Sequence, residues 1–376
     1  MIIGVPRESA EGERRVALVP ESVKRLGGAS IVVEASAGSG AGYPDSAYVE
    51  AGASTKDSRA VFAESDLVLK VQPPTAAEAS MLKEGSAMVS FLFPTANLDS
   101  VKGLVSRKAT AFAMELMPRI SRAQSMDALS SQSTISGYKS VLMAADALPR
   151  LFPMMMTAAG TITPAKVFVL GAGVAGLEAI ATAHRLGAVV EGYDVRPAVK
   201  EQVESLGAKF VELPIQTANA QTAGGYASAQ SDEFYRKQQE LLAEHAKASD
   251  VVITTALVPG KKAPMLVSEE AVMGMKEGSV VVDLAAEQGG NCALTEPGKT
   301  VVKHGVVIIG PLNLPSTMAP QASQLYSRNV ATFVATMMKG GELLPNEADE
   351  LVRGTMVVNR GVVVHEGTRK ALEAQP

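Results

Sequence analysis

Short β-branched runs recur through the first third of the chain, at 2–5, 31–34, 66–71, 87–91 and 110–114, with helix-like stretches such as 20–26 and 98–106 between them. Strand and helix alternating at this spacing predict a parallel, doubly wound sheet. From 125 to 148 the period lengthens. Met126, Leu129, Ile135, Tyr138, Val141, Leu142 and Ala145 fall at helical spacing and predict a long linking helix. Pro149, Pro153 and Pro164 then punctuate the entry to a second alternating series, at 166–170, 189–193, 209–213, 250–254, 279–283 and 306–309, which predicts a second parallel sheet. After Pro311, Pro315 and Pro320, the spacing of Leu325, Val330, Phe333, Val334 and Met337 predicts a helix able to carry the chain back to the first domain. The fold class expected is α/β, with two doubly wound parallel-sheet domains joined by long helices. Residues 1–132 and 312–376 form the first domain, and residues 133–311 are a second domain inserted in it. The small, polar segment 218–231, with Gly224-Gly225, has neither period and is expected to be a mobile surface loop.

Length supports the division, since 376 residues exceed one ordinary core. With 47% hydrophobic and 20% charged residues, the composition is that of a folded protein. A net charge of −4 and a pI near 5.8 exclude the basic surface that nucleic acid needs. Cys292 is the single cysteine, so no internal disulfide forms, no Cys/His cluster offers zinc ligands, and a reducing compartment is expected. The first residues, Met1 to Glu8, carry charge early and lack the apolar core of a secretory signal. No run of about 18 apolar residues is free of charges and breakers, so direct membrane insertion is not expected.

The clearest motif follows the strand 166–170. Gly171-Ala172-Gly173-Val174-Ala175-Gly176 runs straight into a helix-like stretch that ends near Leu186. Gly171 permits a tight turn, Gly173 lets backbone approach a pyrophosphate, and Gly176 lets helix and strand pack closely. The helix N-terminus adds partial positive charge and free N–H groups. A second strand ends at Asp194, about 20 residues beyond, where a carboxylate accepts both ribose hydroxyls. The context is that of a Rossmann-like dinucleotide site preferring NAD to NADP, because a 2′-phosphate meets like charge at Asp194. Arg196 is discordant, since an arginine there suits a 2′-phosphate. The alternative reading has ordinary turn glycines and an Asp194 that caps a helix starting at Pro197.

The run 117–132 concentrates two Arg, two Gln, one Asp and four Ser where the first domain ends. A nicotinamide carboxamide offers one acceptor and two donors, which Gln124 and Ser130 can match, while Asp127 paired with Arg119 holds the loop in shape. The same residues also suit helix capping, with Ser125 or Asp127 as N-cap and the arginines solvated.

The run 114–132 resembles the signature of the NAD(H)-binding component of proton-translocating NAD(P)+ transhydrogenases. Similarity extends to Gly12 through Leu18, Phe152 through Thr161, Ile253 through Gly260, and Val282 through Cys292, so it covers nearly the whole chain. The resemblance implies nicotinamide contacts at Arg119, Gln124, Asp127 and Ser130. It places the rest of the nucleotide against Gly171, Ala172, Gly173, Val174, Gly176, Asp194, Val195, Arg196, Ala256 and Leu257, with a mobile-loop tyrosine at Tyr226. It further implies a homodimer on the cytoplasmic face of the inner membrane. That dimer presents NADH to NADP+ held on a partner subunit, with proton movement through a membrane subunit. Hydride transfer between two nicotinamides needs no acid, base or nucleophile, so positioning is the catalytic task.

Alanine dehydrogenase is similar in architecture, and in that family Arg15 and Lys70 would be substrate-site residues. Its chemistry needs a proton-transfer group, commonly His. None of the four histidines, His184, His245, His304 and His365, lies within residues 1–132, and each reads as structural. Glu287 also stands where that family has Asp. A third alternative is an NAD sensor that transfers nothing.

Overall fold

In a computed structural model, residues 1–212, 232–257 and 262–374 are described. The chain divides into two compact units, Met1–Gln132 with Pro315–Pro376, and Ser133–Leu314.

The first unit holds an eight-stranded sheet. Its parallel part runs Ser54–Lys56, Ser30–Glu34, Ile2–Val5, Leu67–Leu69, Ala87–Ser90, Thr110–Ala113, so strand order reverses between Ile2–Val5 and Leu67–Leu69. Both faces are covered, which is why its central strands read as continuous apolar runs. Leu67, Leu69, Val89 and Phe112 join one core with Tyr326 and Phe333 of the helix Ala319–Met337. Val68, Met88 and Ala111 join a second with Phe62, Val101 and Leu104. The returning helix also satisfies backbone donors, because Ser323 and Ser327 hydroxyls accept from Val16 and Val19 N–H at 3.0 Å.

The second unit holds a seven-stranded sheet ordered Lys209–Phe210, Val189–Tyr193, Lys166–Leu170, Val251–Thr254, Val280–Asp283, Val306–Ile309, Thr300–Lys303. Its order reverses between Lys166–Leu170 and Val251–Thr254. Both units therefore have the strand plan whose ligand crevice opens beyond the carboxyl ends of the two central strands.

The sheets depart from the wholly parallel expectation at one edge each. Met356–Asn359 runs antiparallel to Thr110–Ala113 and pairs with Val362–Val363, while Thr300–Lys303 runs antiparallel to Val306–Ile309. Two-residue turns cause the second pairing in each case. Arg360 and Gly361 have φ of 46° and 82°, and His304 and Gly305 have 51° and 76°, the left-handed pair that hairpin twist favours. The linking helix spans Ala128–Ala147, preceded by a 3-10 turn at Ser121–Met126, so it begins later than expected.

Candidate functional site

The second unit builds a tight glycine turn where the strand Lys166–Leu170 meets the helix Val174–Arg185. Gly171 has φ 99°, which L side chains rarely adopt, and its N–H donates to Tyr193 O at 2.8 Å. A Cβ on Gly176 would lie 1.7 Å from Gly171 O, so the helix Val174–Arg185 reaches the turn only because residue 176 has no side chain. A Cβ on Gly173 would meet nothing within 4 Å, which leaves open space where a pyrophosphate approaches backbone. These observations fit a dinucleotide at a helix N-terminus. Ala172 is buried and Val174 is exposed beside this opening.

Asp194 follows the strand Val189–Tyr193 and closes the turn from the side. Its Oδ2 accepts from Ala172 N at 2.8 Å and from Arg196 Nη2 at 2.7 Å. Its Oδ1 accepts from Arg196 N at 2.9 Å and Arg196 Nε at 2.8 Å. The hydrogen bond to Asp194 raises the Arg196 pKa. Val195, between them, is half-buried. Pro197 opens a 3-10 turn, Pro197–Val199, rather than an α-helix.

Across the reversal, Thr255 Oγ1 donates to Gly171 O at 3.0 Å and ties the fourth strand's end to the glycine turn. Ala256 follows, held by Asn291, whose Oδ1 accepts from Ala256 N at 3.0 Å and whose Nδ2 donates to Ala256 O at 2.9 Å. Asn291 is itself fixed through its N–H to Asp283 Oδ2 at 2.8 Å. Leu257 is exposed at the end of this segment. Thr255, Asp283 and Asn291 were not singled out by the motif; Asp283 and Asn291 are buried and Thr255 half-buried. Tyr226 and the segment 218–231 lie outside the described residues.

In the first unit, the polar cluster forms a turn and a helix start. Arg119 and Gln124 are exposed, and Ala123 and Met126 anchor the turn in the core. Asp127 turns back on the helix rather than pairing with Arg119: Oδ1 accepts from Ser130 N at 2.9 Å and Oδ2 from Ser130 Oγ at 2.6 Å. This is N-cap geometry, so the capping reading holds for Asp127 and corrects the expected ion pair. It also leaves Asp127 and Ser130 as one rigid polar pair. Arg122 is not simply solvated, because it forms a two-pronged pair with Asp349 at 2.6 and 2.9 Å.

Sequence reading also missed Glu115, just before the cluster, which accepts from Leu92 N at 3.1 Å and Phe93 N at 2.5 Å. Burial pushes its pKa up to about 7 against these hydrogen bonds. Nearby, Arg15 clasps Glu13 through Nε at 2.8 Å and Nη2 at 2.6 Å, and donates to Gln132 Oε1 at 2.8 Å. Lys70 Nζ stands 3.1 Å from both Glu8 and Glu78. Three of the histidines have local partners. His245, in the helix Asp232–Ala248 rather than near a strand end, meets Glu191 at 2.6 Å, His304 meets Glu269 at 3.0 Å, and His365 caps the helix Glu366–Glu373.

Residues 4–136 match the alanine dehydrogenase/PNT N-terminal domain, and residues 140–366 match the alanine dehydrogenase/PNT C-terminal domain. The chain belongs to the alanine dehydrogenase/PNT family. Within it, the first portion of NAD(P) transhydrogenase subunit alpha of Rhodospirillum rubrum is 50% identical, over 97% of this chain and 98% of that one. A transhydrogenase of Sinorhizobium meliloti superposes with a TM-score of 0.88 at 47% identity, over 97% of this chain and all (100%) of that one. Alanine dehydrogenase 2 of Staphylococcus aureus is more distant, at 31% identity over 100% of this chain and 97% of that one. The likeness to transhydrogenase alpha subunits and the two-domain α/β architecture are as the sequence motifs implied, and family membership supports binding of a nicotinamide nucleotide. Among the described residues, no helix is long and apolar enough to cross a membrane.

Proposed function

We propose that this chain is the NAD(H)-binding component of a proton-translocating transhydrogenase, which presents NADH for direct hydride transfer to NADP+ on a partner subunit. The observation that carries this reading is the glycine turn at the reversal of the second sheet, with Gly173 facing open space and Asp194 bonded to Ala172 N. Asp194 at the ribose favours NAD(H) over NADP(H). Val174, Val195, Ala256 and Leu257 would complete the adenosine-to-ribose contacts, with Arg196 paired to Asp194 beside them, and Arg119, Gln124, Asp127 and Ser130 would hold the carboxamide.

NADH supplies the hydride, and the chain supplies geometry. Reacting carbons must be held about 3–3.5 Å apart, so side chains with fixed hydrogen bonds are the useful equipment. The Asp127–Ser130 pair has that fixed hydrogen bonding, and Gln124, whose main-chain carbonyl accepts from Asp127 N, is exposed. No proton need pass through either.

The partners follow from the same reading: an NADP(H)-binding subunit and a membrane subunit that couples hydride transfer to proton movement. This chain would then lie peripherally on the cytoplasmic face of the inner membrane. A homodimer is supported by the hairpin Met155–Thr157 and Gly160–Ile162, which exposes Met154, Met155, Met156 and Ile162 as an apolar patch.

The test is single-turnover hydride transfer in a complex reconstituted with an NADP(H)-binding partner. Gln124→Asn and Asp127→Asn are expected to slow transfer at least about tenfold while NADH affinity changes less than about threefold. Unchanged rates in both variants would remove the cluster from the mechanism. NADH oxidation by this chain alone with pyruvate and ammonium would instead establish amino-acid chemistry.

A further inference from the structure

We infer that the Arg196 guanidinium is an internal competitor for the ribose-binding carboxylate, which a nucleotide must displace before Asp194 can accept its hydroxyls. The inference rests on the reading of the second unit as a NAD(H) site and deepens it.

A carboxylate has two oxygens and about four acceptor positions. Asp194 already receives four N–H donors, from Ala172 N, Arg196 N, Arg196 Nε and Arg196 Nη2, at 2.7–2.9 Å. Two ribose hydroxyls therefore need two of these positions vacated. Ala172 N cannot leave, because Gly171 beside it is pinned to Tyr193 O at 2.8 Å. Arg196 N is main chain two residues along. The guanidinium alone sits on rotatable bonds, and it contributes two of the four donors.

The clasp has strength. It is two-pronged, and its side chains are only 16% and 7% exposed, so solvent screens it little. A lysine would offer a point charge and no fork. Displacement also has a direction. A guanidinium released from Asp194 stays tethered two residues away, on the side where a 2′-phosphate would lie. It can serve such a phosphate only while Asp194 does not hold it. The pair thus attenuates NADH affinity and withholds a cation that would admit NADPH.

Calorimetric titration of the full chain with NADH, ADP and 2′-deoxy-ADP tests this. Arg196→Leu is expected to bind NADH and ADP about tenfold more tightly than the wild type, and Arg196→Lys about threefold. The gain with 2′-deoxy-ADP, which lacks one of the competing hydroxyls, is expected to be under about threefold. The lysine variant keeps the charge and the test readable should Arg196→Leu fail to fold. Unchanged or weaker NADH binding in the folded variants overturns the inference, as does an equal gain for ADP and 2′-deoxy-ADP. Both those results leave the nucleotide site standing. Absence of NADH and ADP binding to the wild-type chain would overturn the site itself and the inference with it.

Discussion

The two sheets share a strand plan and differ in what stands where the plan reverses. In the second unit, the ends of Lys166–Leu170 and Val251–Thr254 carry glycine, alanine and threonine, and polarity comes from main-chain N–H groups. In the first, the ends of Ile2–Val5 and Leu67–Leu69 lead into Glu8 and Lys70, with Glu13, Arg15 and Glu78 around them. Burial works against the charge on Lys70, yet Glu8 and Glu78 outweigh it and raise its pKa. Burial likewise opposes ionisation of Glu13, and Arg15 overrides it to hold the carboxyl at about 2. Burial prevails at Glu8, whose pKa is raised. A cleft of about 220 Å³ lined by Arg7, Glu8, Glu13 and Arg15 remains beside these groups. The same topology therefore yields one crevice built mainly around a backbone turn and one crowded with charges that answer each other. Buried charges that compensate one another stabilise little in total, but each is costly to orphan.

The comparison breaks or sharpens on three substitutions. Lys70→Met would leave Glu8 and Glu78 facing each other without their cation, and is expected to destabilise the protein by about 3–5 kcal/mol in denaturant unfolding. NADH affinity should be retained under conditions where the variant is folded. Loss of NADH binding with stability intact would mean that the first crevice serves the nucleotide directly. Gly176→Ala attacks the other crevice, since the added carbon must push the helix from Gly171 O. We expect calorimetry to show NADH affinity down at least about a hundredfold, roughly 3 kcal/mol.

The smallest effect concerns Glu115, whose donors are the N–H groups of Leu92 and Phe93 rather than a cation. Its folded pKa, about 7, lies above the unfolded value, so the folded state binds the proton more tightly. The stability this gives is complete below about pH 4 and is lost as pH rises through 7. Melting curves should therefore show the wild type losing about 2 kcal/mol between pH 5 and 8 relative to Glu115→Gln. Parallel pH profiles would show that Glu115 does not titrate in this range.

Legibility in the sequence followed the same divide. The strands Lys166–Leu170, Val189–Tyr193 and Val306–Ile309 coincide with their apolar runs, because largely buried parallel strands advertise themselves. The glycine turn was readable because Gly171 needs a positive φ and Gly176 a missing side chain, while Gly173 leaves space for a ligand. Edges were not. Ser54–Lys56 is short and polar, and the antiparallel pairs hang on His304-Gly305 and Arg360-Gly361, whose first residues are not the usual Asn or Asp. The partner of Asp127 was not readable. Opposite charge suggested Arg119, whereas Ser130 three residues on wins because capping needs no tertiary contact. Buried pairs such as Lys70 with Glu78 join residues whose nearness depends on the reversal of strand order or on local capping, which residue types alone do not announce.

Asn291 treats Ala256 as an adjoining strand would, giving to its carbonyl and taking from its amide. Such recognition is blind to the side chain at 256. Over evolutionary drift that position can change its identity while its peptide keeps its address. The amide at 291, which no nucleotide need ever touch, is the member of the couple with no freedom to wander.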